Sequence, residues 1–261
     1  METRTNGKFR LGRRKNKTRF IEKILATVAF GSIEKAIPRI FIMAEILTER
    51  QQILLGLLSN QTSITDFFYL TGGTALAEFY LRHRYSEDLD FFSETEIEPQ
   101  AVFTMLKTIK KVAGYSEVEY QQTFKRNLFF LHYPEEVIKT EFTLFPFPKI
   151  EVGSRIGGLS VDSLRDIAVN KLFTIYQKPR SRDFIDLYLI LKEKGWTIAD
   201  LIKLAKIKFD THLDLVQLGS RLLQVHVVKD YPRMVIQIEP EEWQEYFLKE
   251  AKKFEKGILE G

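Results

Sequence analysis

The chain has 261 residues, 44% hydrophobic and 28% charged, a globular composition with apolar material for one large core or two small ones; it excludes a disordered tail protein. Zero cysteines exclude disulfides, thiolate zinc sites and cysteine nucleophiles. They are compatible with a reducing compartment, and a soluble cytoplasmic protein without a membrane partner is expected, because no apolar run approaches the roughly 20 residues of a membrane span.

The net charge of +4 is unevenly spread. Residues 1–42 hold 11 Lys/Arg against three acids, a balance of +8, which leaves the remainder at −4. This basic extension has three readings: a nucleic-acid arm built on Arg13-Arg14-Lys15-Asn16-Lys17, a targeting peptide without a convincing cleavage site, or a stretch outside the folded domain, with Met43 opening a new pattern.

From Met43 the chain alternates helices and strands. Thr48 caps an amphipathic helix to Leu58, and Asp66–Leu70 reads as an aromatic strand ending at Gly72-Gly73. Thr74–His83 reads as a helix and Asp88–Phe92 as a strand. Pro99 opens a helix to about Val112, with Gly114 closing it. Ser116–Phe124, Arg126–Tyr133 and Val137–Phe145 are three consecutive antiparallel strands. After a Gly-rich turn at 153–158 the pattern is helical: Ser163–Tyr176, Arg182–Lys194, Ile198–Lys206, Leu213–Gln224 and Pro240–Lys252. This predicts an α+β core over 43–160 and a C-terminal helical region over 161–261.

The chemistry concentrates in Gly72-Gly73-Thr74 and, 13 residues on, Asp88-Leu89-Asp90-Phe91-Phe92. Side chains alternate along a strand, so Asp88 and Asp90 share a face while Leu89 and Phe91 enter the core. Two close carboxylates coexist at neutral pH when something positive lies between them, and an oxygen-ligated divalent ion is the natural candidate. A Gly-Gly-Thr turn entering a helix offers free N–H groups and a hydroxyl to a phosphate. Each half alone also suits a solvated edge or an ordinary turn. The histidines (His83, His132, His212, His226) lack ligand spacing and read as structural or surface groups, and no P-loop or G-x-G-x-x-G is present.

Order and spacing together resemble the DNA polymerase β-like nucleotidyltransferase superfamily. The string Leu70–Phe92, with Arg182-Asp183-Phe184-Ile185-Asp186-Leu187-Tyr188, resembles the AbiEii/AbiGii toxin family within it, over about residues 43–200. The resemblance implies a mixed β-sheet nucleotidyltransferase core flanked by helices, with a C-terminal helical bundle. It implies two Mg²⁺ (or Mn²⁺) on Asp88 and Asp90 and an NTP as substrate, with Gly72, Gly73 and Thr74 at the outgoing phosphates.

A third carboxylate is implied on a neighbouring strand, where Glu141 stands in place of the more usual Asp. It would ligate the second metal or act as base, or else be an exposed Glu paired across strands with Lys125 or Arg126. Lys171 sits among apolar helix neighbours, an unusual place for an ammonium. It matches the family lysine that reaches the triphosphate; the alternative is a snorkelling lysine. Arg182, Asp183 and Asp186 match the family's fourth motif, Asp186 at the nucleotide site or positioning Lys171. Arg84 and Ser86 touch phosphate or brace the carboxylates. The implied acceptor is the 3′ end of tRNA, and the implied partner is a cognate antitoxin. A protein-hydroxyl acceptor, or a non-catalytic binding protein on the same scaffold, are the alternatives.

Overall fold

The computed structural model describes residues 46–259, so the basic extension and the boundary at Met43 lie outside the described residues. Helix α1 (Glu49–Leu58) starts where expected. The Thr48 hydroxyl accepts from the Gln51 backbone N–H, and the Gln51 side chain accepts from that of Thr48, a reciprocal cap. A short helix α2 (Thr62–Thr65) leads into β1, which is Tyr69–Thr71 rather than 66–70. Residues 66–67 instead continue the turn out of α2, with the Phe67 and Phe68 N–H groups bonded back to the Ile64 carbonyl.

Helix α3 (Gly72–Leu76) follows β1 directly, two residues earlier than expected. Gly72 makes this possible with φ +73°, and the helix then widens into a π turn over Ala77–Leu81 that Arg82 stops in a left-handed conformation. Strand β2 is Leu89–Ser93, so Asp88 stands just ahead of it. Helix α4 (Pro99–Ala113) has Pro99 at its start and Gly114 as its left-handed C-cap. The meander β3 (Glu117–Thr123), β4 (Arg126–His132) and β5 (Val137–Leu144) lies within two residues of its expected bounds. A small hairpin, β6 (Arg155–Ile156) and β7 (Leu159–Val161), ends the strand-forming part of the chain.

The seven strands form one mixed sheet in the order β3-β4-β5-β2-β1-β7-β6. Strand β2 is antiparallel to β1 and parallel to β5, a register that sets Asp90 beside Thr71 on one flank and Glu141 on the other. On the opposite face Phe91 stacks on Phe142, ring centroids 4.9 Å apart. Helices α5 (Leu164–Gln177), α6 (Ser181–Lys194), α7 (Ile198–Phe209), α8 (Leu215–Leu223) and α9 (Pro240–Leu259) follow. Their buried faces join the sheet in a continuous core in which Leu70, Phe91, Leu172, Phe184 and Phe247 are all sealed from solvent. The architecture is thus the expected α+β sheet with flanking helices and a helical C-terminal region. Among the described residues no helix is long and apolar enough to cross a membrane.

Candidate active site

A cleft of about 530 Å³ opens where the ends of β1, β2 and β5 meet α5 and α6. Asp88, Asp90 and Glu141 line one side; Lys171, Arg180 and Arg182 line the other, with Gly72 and Gly73 between. Period-two alternation on β2 puts Asp90 into the cleft because Leu89 and Phe91 are sealed in the core. Burial pushes the Asp90 carboxyl up to about 6, with the neighbouring charges of Glu141 and Asp88 adding to it and Lys139 and Lys171 opposing. Asp88 is partly neutralised by Lys139, whose Nζ lies 2.6 Å from Oδ2.

Glu141 is buried, and both of its oxygens accept hydrogen bonds. Arg126 Nε donates to Oε1 over 2.6 Å, the Thr143 hydroxyl to the same oxygen over 2.7 Å, and Arg126 Nη2 to Oε2. Burial alone would raise its pKa, but the bonds from Arg126 and Thr143 outweigh that and hold it below the usual carboxylate range. Of the structural alternative, the cross-strand pair with Arg126 is present but the exposure is not, since Glu141 is buried beside Asp90.

The other wall is organised by Asp186, completely buried on α6. Arg84 grips it with two parallel bonds of 2.7 and 2.8 Å, His83 Nε2 lies 2.7 Å from Oδ1, and Lys171 Nζ lies 2.6 Å from Oδ2. Lys171 also donates to Asp183 over 2.8 Å, and Asp183 receives Arg180 at 2.8 Å. Burial works against ionisation of Asp186, yet Lys171 and Arg84 hold its carboxyl well below the usual range. Lys171 is therefore not a snorkelling surface lysine but an ammonium fixed between two carboxylates at the cleft wall. Arg84 is a brace rather than a free phosphate ligand. Arg182 lines the cleft without an ion-pair partner among the described residues.

Gly72 and Gly73 are there because nothing larger fits. A Cβ on Gly72 would run into the Asp90 carboxylate, and one on Gly73 into the Arg84 guanidinium and the Ser86 hydroxyl. Thr74 departs from expectation. Its side chain is fully buried, does not line the cleft, and donates its hydroxyl to the Asp88 carbonyl, which pins the turn before β2. Ser86 does line the cleft, and its loop is held by Gln51, whose Nε2 donates to the carbonyls of Ser86 (3.2 Å) and Glu87 (2.8 Å).

Sequence reasoning missed Asn170, Arg180 and the segment Asp230–Arg233, all of which line the cleft. Arg180 could have been suspected from its place before the Arg182-Asp183 motif. The 230–233 segment carries no periodic signal.

Among the described residues no three acidic or histidine side chains converge closely enough to enclose a metal ion by themselves. The donor set still suits an open Mg²⁺ site. Mg²⁺ is characteristically held by one or two carboxylates plus substrate phosphates and water, and Asp90 with Asp88 is a carboxylate pair whose mutual repulsion a cation would relieve. A direct ligand role for Glu141 would require it to release Arg126.

A mixed sheet with Asp90 on a central strand and Asp88 just ahead of it, a Gly-Gly turn beside them and a fixed lysine in the same cleft is the arrangement expected of a nucleotidyltransferase. The family profile described as "Nucleotidyl transferase AbiEii toxin, Type IV TA system" matches residues 53–255, and the chain belongs to that family. It is a nucleotidyltransferase. An uncharacterized protein of Aquifex aeolicus (strain VF5), aq_aa25, is 30% identical over 216 residues, covering 81% of this chain and 98% of that one. The crystal structure of JHP933 from Helicobacter pylori shares the fold with a TM-score of 0.52 at 18% identity, over 82% of this chain and 95% of that one.

Proposed function

We propose that the protein transfers a nucleoside monophosphate from an NTP to the 3′ hydroxyl of a tRNA, as a toxin restrained by a cognate antitoxin. The observation that carries the reading is the opposition, across one cleft, of Asp88 and Asp90 to Lys171 and Arg182, with the Gly72–Gly73 backbone between them. The tRNA acceptor and the antitoxin rest on the resemblance and on the family's toxin description.

Asp88 and Asp90 would hold Mg²⁺, which would supply Lewis-acid stabilisation of the transferring phosphoryl group and of the leaving oxygen. The bare backbone at Gly72 and Gly73 lets the triphosphate approach the acids closely. Lys171 and Arg182 offset its charge as the acceptor hydroxyl gives its proton to water, its oxygen bonds to the α-phosphorus, the α–β bridging bond breaks and pyrophosphate leaves. The two differ in how they are held, and Lys171 is the one already anchored. Asp183 and Asp186 fix its ammonium before substrate arrives, so little reorganisation remains. Glu141, held ionised by Arg126, keeps a fixed negative charge beside Asp90.

Incubating the protein with each labelled NTP, Mg²⁺ and total tRNA should give labelled tRNA and free pyrophosphate. Label on a protein with none on RNA would replace the tRNA acceptor by a protein hydroxyl. No label on any acceptor, with nucleotide still bound, would leave a binding protein on the same scaffold.

A further inference from the structure

Between His226 and Pro240 the chain has no helix or strand, yet hydrogen bonds to Ser181 and to the His83–Tyr85 segment fix it along the cleft. The Ser181 N–H, at the start of α6, donates to the Asp230 carboxylate over 2.8 Å. The Tyr85 N–H donates to the Arg233 carbonyl over 2.9 Å, Met234 forms an antiparallel bridge with Arg84, and the Val235 N–H donates to the His83 carbonyl over 2.8 Å. The strap is therefore fastened to the same His83–Arg84 segment that grips Asp186, and through Asp186 it is indexed to Lys171.

What the strap presents is an exposed arginine. The Arg233 guanidinium lies over the Tyr85 ring, 4.0 Å from its centroid, and both residues line the cleft. Arg233 has no carboxylate partner among the described residues, so no salt bridge accounts for its position. The guanidinium carbon sits over the Tyr85 ring and the side chain is exposed, so N–H groups of Arg233 remain open to a ligand. A planar heterocycle is the natural complement: it can stack on a guanidinium or aromatic plane and offers carbonyl and ring-nitrogen acceptors along its edge. The phosphates already have cationic and backbone partners near the acids, at Lys171, Arg182 and Gly73.

We propose that Tyr85 and Arg233 form the nucleobase-binding surface for the incoming NTP and set its base preference. The assignment rests on the nucleotidyltransferase reading of the cleft.

The test is calorimetric titration of the full chain, with Mg²⁺, against each of the four ribonucleoside triphosphates and against inorganic tripolyphosphate. Wild type should bind its preferred NTP more tightly than tripolyphosphate. Arg233→Ala and Tyr85→Ala should each weaken NTP binding about ten-fold and narrow the differences among the four bases, as expected for losing one stacking partner. Tripolyphosphate affinity should stay within two-fold. Tyr85→Phe, which keeps the ring, should behave as wild type, and Arg233→Lys, which keeps the charge but not the plane, should resemble Arg233→Ala. Equal losses for NTP and tripolyphosphate would make Arg233 a phosphate ligand and overturn the proposal. Unchanged NTP binding in both alanine variants would overturn it while leaving the nucleotide reading intact. A wild type that binds neither ligand would remove the nucleotide reading, and the proposal with it.

Discussion

Asp90 is the residue on which the electrostatics of the cleft turn. Its folded-state pKa, about 6, lies above the ordinary aspartate value of 3.8, so the folded protein binds the extra proton between those two limits. The sign follows: stability falls as pH rises through the window from about 4 to 6, and the penalty is fully present above it. Asp90→Asn removes that penalty. Without metal the variant should be more stable than wild type at pH 7.5, by about 1 kcal/mol after allowance for solvent screening, and equal to it below pH 4. The comparison must be between variant and wild type, because buried Asp162 is also pushed up to about 6 and contributes to both. The same variant should transfer no nucleotide; thermal melts across pH together with a labelling assay check both halves.

Thr74 separates positioning from contact. Because its hydroxyl holds the Asp88 carbonyl and not a phosphate, Thr74→Val should lower kcat about ten-fold with KM for NTP nearly unchanged, while Thr74→Ser should retain most activity. A rise in KM at constant kcat would instead place the hydroxyl on the substrate.

At the scale of elements, the meander strands and most of the longer helices were legible because each carries its own period, whereas the short hairpin β6–β7 was read only as a Gly-rich turn. Alternation along 126–132 and 137–144 located β4 and β5 to within a residue or two, and Pro99 with Gly114 bracketed α4. The π turn at Ala77–Leu81 carries no side-chain period of its own, and the early start of α3 was not legible because it goes with the positive φ of Gly72. In the site, the acids and Lys171 could be read from motif and periodicity. Their partners could not: Arg126 meets Glu141 through strand register, and Arg84 meets Asp186 across 102 positions of sequence. The strap at 227–239 has neither period nor motif, only backbone bonds to a distant loop.

Asp186 is where these elements are joined, and a buried carboxylate with three cationic or hydrogen-bonding partners leaves charges stranded when it is removed. Asp186→Asn should therefore destabilise the fold by about 3–5 kcal/mol, seen as a lowered Tm. It should also weaken NTP binding in the fraction that remains folded, because Lys171 loses one of its two anchors. A variant as stable as wild type would show that His83, Arg84 and Lys171 find other partners.

At the scale of the whole molecule, the question is how a body of net charge −4 would hold RNA. Lys107, Lys110 and Lys111 lie along α4, and Lys125 sits at the β3–β4 turn. Arg126, next to Lys125 in sequence, belongs to Glu141 and the cleft. Replacing the four lysines by Ala, with Arg126 kept, should raise KM for tRNA and flatten its salt dependence, each lost phosphate contact removing about one unit of slope, while NTP binding stays the same. Unchanged KM and slope would put the RNA path elsewhere.

The basic extension is the other source of positive charge, and the family match, over residues 53–255, does not include it. The described core already includes Ile46 and Leu47, both buried, and the reciprocal cap between Thr48 and Gln51 starts the first helix. A chain beginning at Met43 should therefore fold with a Tm close to that of the full chain and bind NTP equally well. If the +8 extension acts on RNA through its charge, tRNA labelling by the two chains should converge at high salt, where counterion release no longer favours the arm, and diverge at low salt. Equal labelling at every salt concentration would confine RNA binding to the folded body. A truncated chain that loses NTP binding as well would show that residues before Met43 complete the nucleotide site.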